Sequence, residues 1–159
     1  MKIISGGQIG ADLAALEWAK QNGLETGGWM PKGFKNKNGD NPDFGEKFGM
    51  IETNDGGYPA RTRLNVEAGD ITLRFGSNFS TYGELCTARF IKQFMKPHLD
   101  IPINPMSLDI QMPYIYVADW IRVYRPEVIN VAGNARREFE GVIKWFLDRT
   151  YGILKMYST

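Results

Sequence analysis

Cysteine and histidine are almost missing from this chain. Its 159 residues include one cysteine, Cys86, and one histidine, His98. A lone cysteine permits no internal disulfide, which fits a reducing compartment. One of each cannot supply the nitrogen and sulfur ligands of a structural zinc site, so no metal site is expected. An excess of charge is missing too. Lys and Arg number 19 against 18 Asp and Glu, a net of +1. That balance gives no electrostatic footprint for nucleic acid or an anionic membrane. No apolar run reaches transmembrane length, and the opening Met1-Lys2-Ile3-Ile4-Ser5 is too short for a secretory apolar region. These absences predict a cytoplasmic protein without nucleic-acid or membrane partners. Internal repeats, low-complexity tracts and linkers are also absent, so residues 1–159 read as one domain.

What is present is a core and a rhythm. Hydrophobic residues make up 43% of the chain, enough for a buried core without disulfides. Lys2–Ser5 is a short apolar run ending at glycines, the pattern of a buried parallel strand. Ala11–Gln21 is rich in helix formers and stops at Asn22-Gly23. Thr26–Met30 reads as a weak strand, and residues 31–60 as the least regular part, with a long surface loop over Lys32–Asp43. A short helix is expected over Arg61–Ala68, a strand over Ile71–Phe75 and a helix over Glu84–Phe94. His98–Ile103 is extended, Met112–Tyr124 an aromatic-rich helix, Val128–Val131 a strand and Arg136–Tyr151 the last helix. Strand and helix alternate about five times. That order predicts an α/β fold: a three-layer parallel sheet of about five strands with helices on both faces.

In such sheets, ligands sit at the carboxyl ends of the strands. That rule places three small-residue turns on one rim: Gly6-Gly7, Gly76-Ser77 and Ala132-Gly133. The first turn, Ser5-Gly6-Gly7-Gln8-Ile9-Gly10-Ala11-Asp12, lets backbone approach a ligand and opens a helix whose N-terminus favours anions. A phosphate is its expected guest. Gly7 and Gly10 match the last two glycines of the dinucleotide fingerprint, but Ser5 stands at the first. Asp12 suits either the helix dipole or a ligand hydroxyl. Lys32 and Arg61, with Thr62 and Asn65 beside the arginine, can add anion-binding charge. Thr81 and Glu84 stand at capping-box spacing, and Glu84 is also the weak candidate for an acid/base. Gly83 and Thr87 flank it. Cys86 reads as a small buried apolar residue, and Trp18, Trp29, Trp120 and Trp145 as core or interface.

Taken together, the motifs Ser5–Asp12, Gly27-Gly28-Trp29-Met30-Pro31-Lys32-Gly33, Tyr58 with Arg61-Thr62 and Asn65-Val66, and Asn130-Val131-Ala132-Gly133 resemble the putative molybdenum carrier family. That family is Rossmann-like and related to the lysine decarboxylase-like, cytokinin-activating group. The resemblance implies a homo-oligomer that binds molybdenum cofactor (molybdopterin) or a nucleotide, more a binding protein than an enzyme. The implied ligand contacts are Gly6, Gly7, Gln8, Gly10, Ala11, Asp12, Lys32, Arg61, Asn65, Gly76, Ser77, Gly83, Glu84, Thr87, Asn130 and Gly133. Two alternatives stay open. One is a hydrolase cleaving the N-glycosidic bond of a nucleoside monophosphate, although the Pro-Gly-Gly-x-Gly-Thr signature of the cytokinin-activating relatives is absent. The other is an interaction module without a ligand. Six positions depart from the family pattern. Ile9 replaces threonine, Met30 cysteine, Phe34 arginine and Glu84 a small hydroxyl residue, and Asn134-Ala135 stands in place of Pro-Arg.

Overall fold

A computed structural model describes residues 1–54 and 57–158. Asp55 and Gly56, within the stretch read as irregular, and Thr159 lie outside the described residues. In chain order the elements are β1 (Lys2–Ile4), α1 (Ala11–Gln21), β2 (Glu25–Met30), β3 (Lys35–Asn36), β4 (Gly39–Asp40), α2 (Phe44–Phe48), β5 (Met50–Glu52) and α3 (Gly57–Ala68). There follow β6 (Ile71–Gly76), α4 (Tyr82–Gln93), β7 (His98–Asn104), β8 (Asp109–Ile110), α5 (Tyr114–Tyr124), β9 (Val128–Gly133), a 3₁₀ turn (Arg137–Phe139) and α6 (Glu140–Met156).

The main sheet has seven strands in the order β5-β2-β1-β9-β6-β7-β8. Every pairing is parallel except the last, β7 with β8. The expected count of about five is therefore too low by two edge strands. Both are only two or three residues long, with too few side chains to show a period. The stretch read as least regular, residues 31–60, also folds more than expected. It holds the β3–β4 hairpin, the single turn α2 and β5, and Phe44, Phe48 and Met50 form a small core with Leu16 and Met30.

Strand periodicity divides the sheet into two unlike faces. Ile71, Leu73 and Phe75 of β6, with Ile129 and Val131 of β9, join the main apolar core under α1, α5 and α6. The alternate residues Thr72, Arg74 and Asn130 point the other way and are also buried. On that side α3 packs on β2 and β9 and against α4, over a smaller cluster of Val66, Cys86, Phe90 and Ile91. Burying an arginine there requires partners, and those partners mark the site. Among the described residues, no helix is long and apolar enough to cross a membrane.

Candidate functional site

β1, β9 and β6 are adjacent and parallel, so the turns after Ile4, Gly133 and Gly76 share one rim. After β9 the chain passes through the 3₁₀ turn to α6 on one face, which α1 also covers, and after its neighbour β6 to α4 on the other. Adjacent strands whose connections leave toward opposite faces open a crevice between them.

The glycine turn is folded as the sequence suggests, but its amides are already engaged. Gly7 N–H donates to Ser5 Oγ at 3.2 Å, and Gln8 N–H to Asp12 Oδ2 at 3.2 Å. Ile9 N–H donates to Gln8 Oε1 at 3.0 Å and Gly10 N–H to Glu140 Oε2 at 2.9 Å. Ala11 N–H reaches the Asn134 carbonyl at 3.3 Å. The turn is thus an anion seat filled by two of the chain's own carboxylates. The amides of Gly7 and Gly10, two of the glycines expected to cradle a phosphate, thus already have partners within the chain. Gly10 is required here, because its φ is +88° and the Asn134 carbonyl sits where a Cβ would go. Gln8 Oε1 also accepts from Lys37 N–H at 2.9 Å, and Asn36 Nδ2 donates to the Gly7 carbonyl at 3.0 Å, which ties the β3–β4 hairpin to the turn.

Gly6 serves a different purpose. The Arg61 guanidinium of α3 occupies the space of the missing side chain. Lying there, Arg61 Nη1 comes 3.4 Å from Asp12 Oδ2. Burial pushes the Asp12 carboxyl up to about 6, against the opposing pull of Arg61 and the Gln8 and Gly6 amides. Arg61 also lies over the Tyr58 ring, 5.3 Å from its centroid, and its Nε has no hydrogen-bond partner.

A second carboxylate and arginine meet at the start of α4. Thr81 caps that helix by accepting from Glu84 N–H at 3.4 Å, one half of the expected capping box. The Glu84 side chain does not complete the box. It turns inward, 5% exposed, with Oε2 3.6 Å from Arg74 Nη1. Arg74 is committed elsewhere. Its Nε and Nη2 donate to the two oxygens of Asp100 at 2.7 Å each, and its Nη1 to the Glu84 carbonyl at 2.9 Å. Burial therefore outweighs the attraction of Arg74 and raises the Glu84 carboxyl to about 7, with Asp12 and Asp100 adding to the rise. Glu84 Oε2 has no hydrogen-bond partner.

Asn134 joins the turns. Its Oδ1 accepts from Ser77 N–H at 2.8 Å and Asn78 N–H at 3.2 Å, and its Nδ2 donates to the Asn78 carbonyl at 2.9 Å. Gly76 leaves room for that side chain, and Arg136 Nη1 reaches Ser77 Oγ at 3.3 Å. Gly133 packs its bare Cα side on β6. Other expected residues stand apart. Asn65 grips the backbone of Trp29 through both amide atoms. Asn130 bonds Thr72 inside the sheet, three residues before Gly133 and so about 10 Å below the rim. Lys32 is exposed and Gly83 faces open space. Thr87 Oγ1 donates back to the Gly83 carbonyl. Among the described residues, no group of three or more His, Cys, Asp or Glu is arranged to hold a metal ion.

A family model, the circularly permutated YpsA SLOG family, matches residues 3–148. The chain belongs to this family. It is also similar to a solved structure entitled "Putative molybdenum carrier protein" from Syntrophus aciditrophicus SB. The two share 32% identity over 94% of this chain and 93% of that one, with a TM-score of 0.82. No curated protein matches the chain.

In this YpsA SLOG chain the sequence reading missed Arg74, Asp100, Asn134 and Glu140. One signal was present. Arg74 interrupts the apolar run Ile71-Thr72-Leu73-Arg74-Phe75, and a charge in a buried strand needs a partner. Asp100, 26 residues away, is that partner. Glu140 lies 130 residues from Gly10 and carried no comparable signal.

Proposed function

We propose that the chain binds a phosphate-bearing heterocycle, of the molybdopterin or nucleotide class, at the rim above β1, β9 and β6. One observation carries this reading. Two carboxylate–arginine pairs with buried carboxylates, Asp12 with the partly buried Arg61 and Glu84 with Arg74, converge there, and each leaves a polar atom without a partner, Arg61 Nε and Glu84 Oε2. Buried polar atoms without partners are rare, and a ligand supplies what they lack. The turn amides are occupied, so the phosphate falls to side chains: Arg61, and on the other edge Ser77 and Arg136. The solved relative's name supports a molybdenum-bearing cargo. The donor set fits the organic part of such a cargo rather than the metal, because the rim offers guanidinium, hydroxyl and carboxylate groups and Cys86 is buried on the inner face of α4, against Val66.

Calorimetry of the protein with a panel of nucleoside monophosphates and pterin phosphates tests the reading. At least one member binds, and Arg61→Ala weakens it by about tenfold or more, the scale of one charge-assisted hydrogen bond. A panel without any binder overturns the proposal.

One observation favours a second reading, the N-glycosidic hydrolase. A Glu84 carboxyl raised to about 7 is half protonated near neutrality and suits a general acid. Base release from a nucleoside monophosphate, lost in Glu84→Gln and falling as pH rises above about 7, would establish it.

A further inference from the structure

Five charged side chains alternate in sign along the α3–α4 side of the rim: Asp12, Arg61, Glu84, Arg74 and Asp100. Fully ionised, three carboxylates oppose two guanidiniums and leave one uncompensated negative charge. The exposed His98 stands 3.9 Å from Asp100, at the outer end of the row. Glu84, in the middle, has the poorest company. Arg74 is pinned by two bonds to Asp100 and one to the Glu84 carbonyl, so it cannot turn to close the 3.6 Å gap to Oε2. A carboxylate oxygen is thus built into a nearly dry place without a donor, an arrangement that costs free energy until a donor arrives.

The donor this geometry suits is neutral. Arg74 lies 3.6 Å from Glu84 Oε2 and Arg61 is near enough to act on the same carboxyl, and both repel a metal ion or an ammonium. A phosphate is repelled by Glu84 itself. A flat edge carrying two N–H groups meets neither objection and matches the two oxygens of one carboxylate. We propose that Glu84 reads the paired N–H edge of the ligand's heterocycle, an exocyclic amino group beside a ring N–H, as found in guanine and in 2-amino-4-oxopteridines. This rests on the reading that the rim holds a phosphate-bearing heterocycle. It makes Glu84 the residue that sets specificity, with Arg74 and Asp100 as its support, and it gives a use to a side chain that departs from the family pattern.

Guanosine and inosine monophosphates provide the test, since they differ only in the exocyclic amino group. Calorimetry of the full chain is expected to show guanosine monophosphate binding at least about tenfold tighter, one charge-assisted hydrogen bond's worth. In Glu84→Gln, which offers one acceptor and one donor, the preference collapses toward unity. In the wild type the preference also declines as pH falls through about 7, because a protonated Glu84 no longer accepts twice. Equal affinity of the wild type for the two nucleotides, or a preference that survives in Glu84→Gln, overturns this inference and leaves the broader reading standing. If neither these nucleotides nor any pterin phosphate binds, the broader reading itself falls. The wild-type comparison decides even if the variant does not fold.

Discussion

Asp12 accepts from the Gln8 amide and faces Arg61, yet burial still lifts its carboxyl from 3.8 to about 6. The sign of the linkage follows. Between those values the folded protein holds a proton that the unfolded chain has lost, so the stability that Asp12 contributes is fully present below about pH 4 and is lost as pH rises through about 6. Glu84, lifted from 4.5 to about 7, continues the decline to neutrality. For Asp12 the cost above the window is about 3 kcal/mol. Urea unfolding of the wild type between pH 4 and 6 is expected to show this loss. Asp12→Asn, which cannot titrate, should show a flatter profile; an equally steep one would mean that Asp12 is not the group responsible. The sequence offered Asp12 only a choice between helix dipole and ligand hydroxyl. Its real partner, Arg61, lies 49 residues away, and no local pattern encodes that contact.

Elements were legible to the degree that they are long and self-contained. α1 runs over Ala11–Gln21, the range expected, because helix formers and the Asn22-Gly23 stop are local signals. α3 and α6 reach further than expected, to Gly57 and Met156. β5 and β8 were invisible, since a two- or three-residue strand exists only through the neighbour it pairs with. Asn134 shows the same dependence on partners. It holds the turn after β6 to the turn after β9, and its role is visible only once those strands are adjacent. Asn134→Ala strips the acceptor from the Ser77 and Asn78 amides and should cost about 2–3 kcal/mol in urea unfolding. A loss within 0.5 kcal/mol, about that of an ordinary surface substitution, would show that the two turns do not depend on it.

At the scale of the molecule, binding should add to the stability of the fold. A ligand at about 100-fold excess over its Kd adds about 2.7 kcal/mol of stability, which for a domain of this size is roughly 5–10 °C in Tm. Gly6→Ala places a methyl where the Arg61 guanidinium lies. The methyl also comes 2.9 Å from the buried Asp12 Oδ2 and parts that carboxylate from its arginine, so the variant should melt lower without ligand, and the ligand-induced shift should be lost. A full shift in the variant would detach Arg61 from the site. The sequence by itself determined the layered α/β class, the three small-residue turns and their common rim, because alternation and turn chemistry are written in neighbouring residues. Only the tertiary structure decided what the rim contains. It filled the glycine turn with Asp12 and Glu140, and it pinned Arg74 so that Glu84 was left short of a donor. The physical reason is distance along the chain: charges pair according to where the folded strands carry them, and burial then sets what each pair is worth.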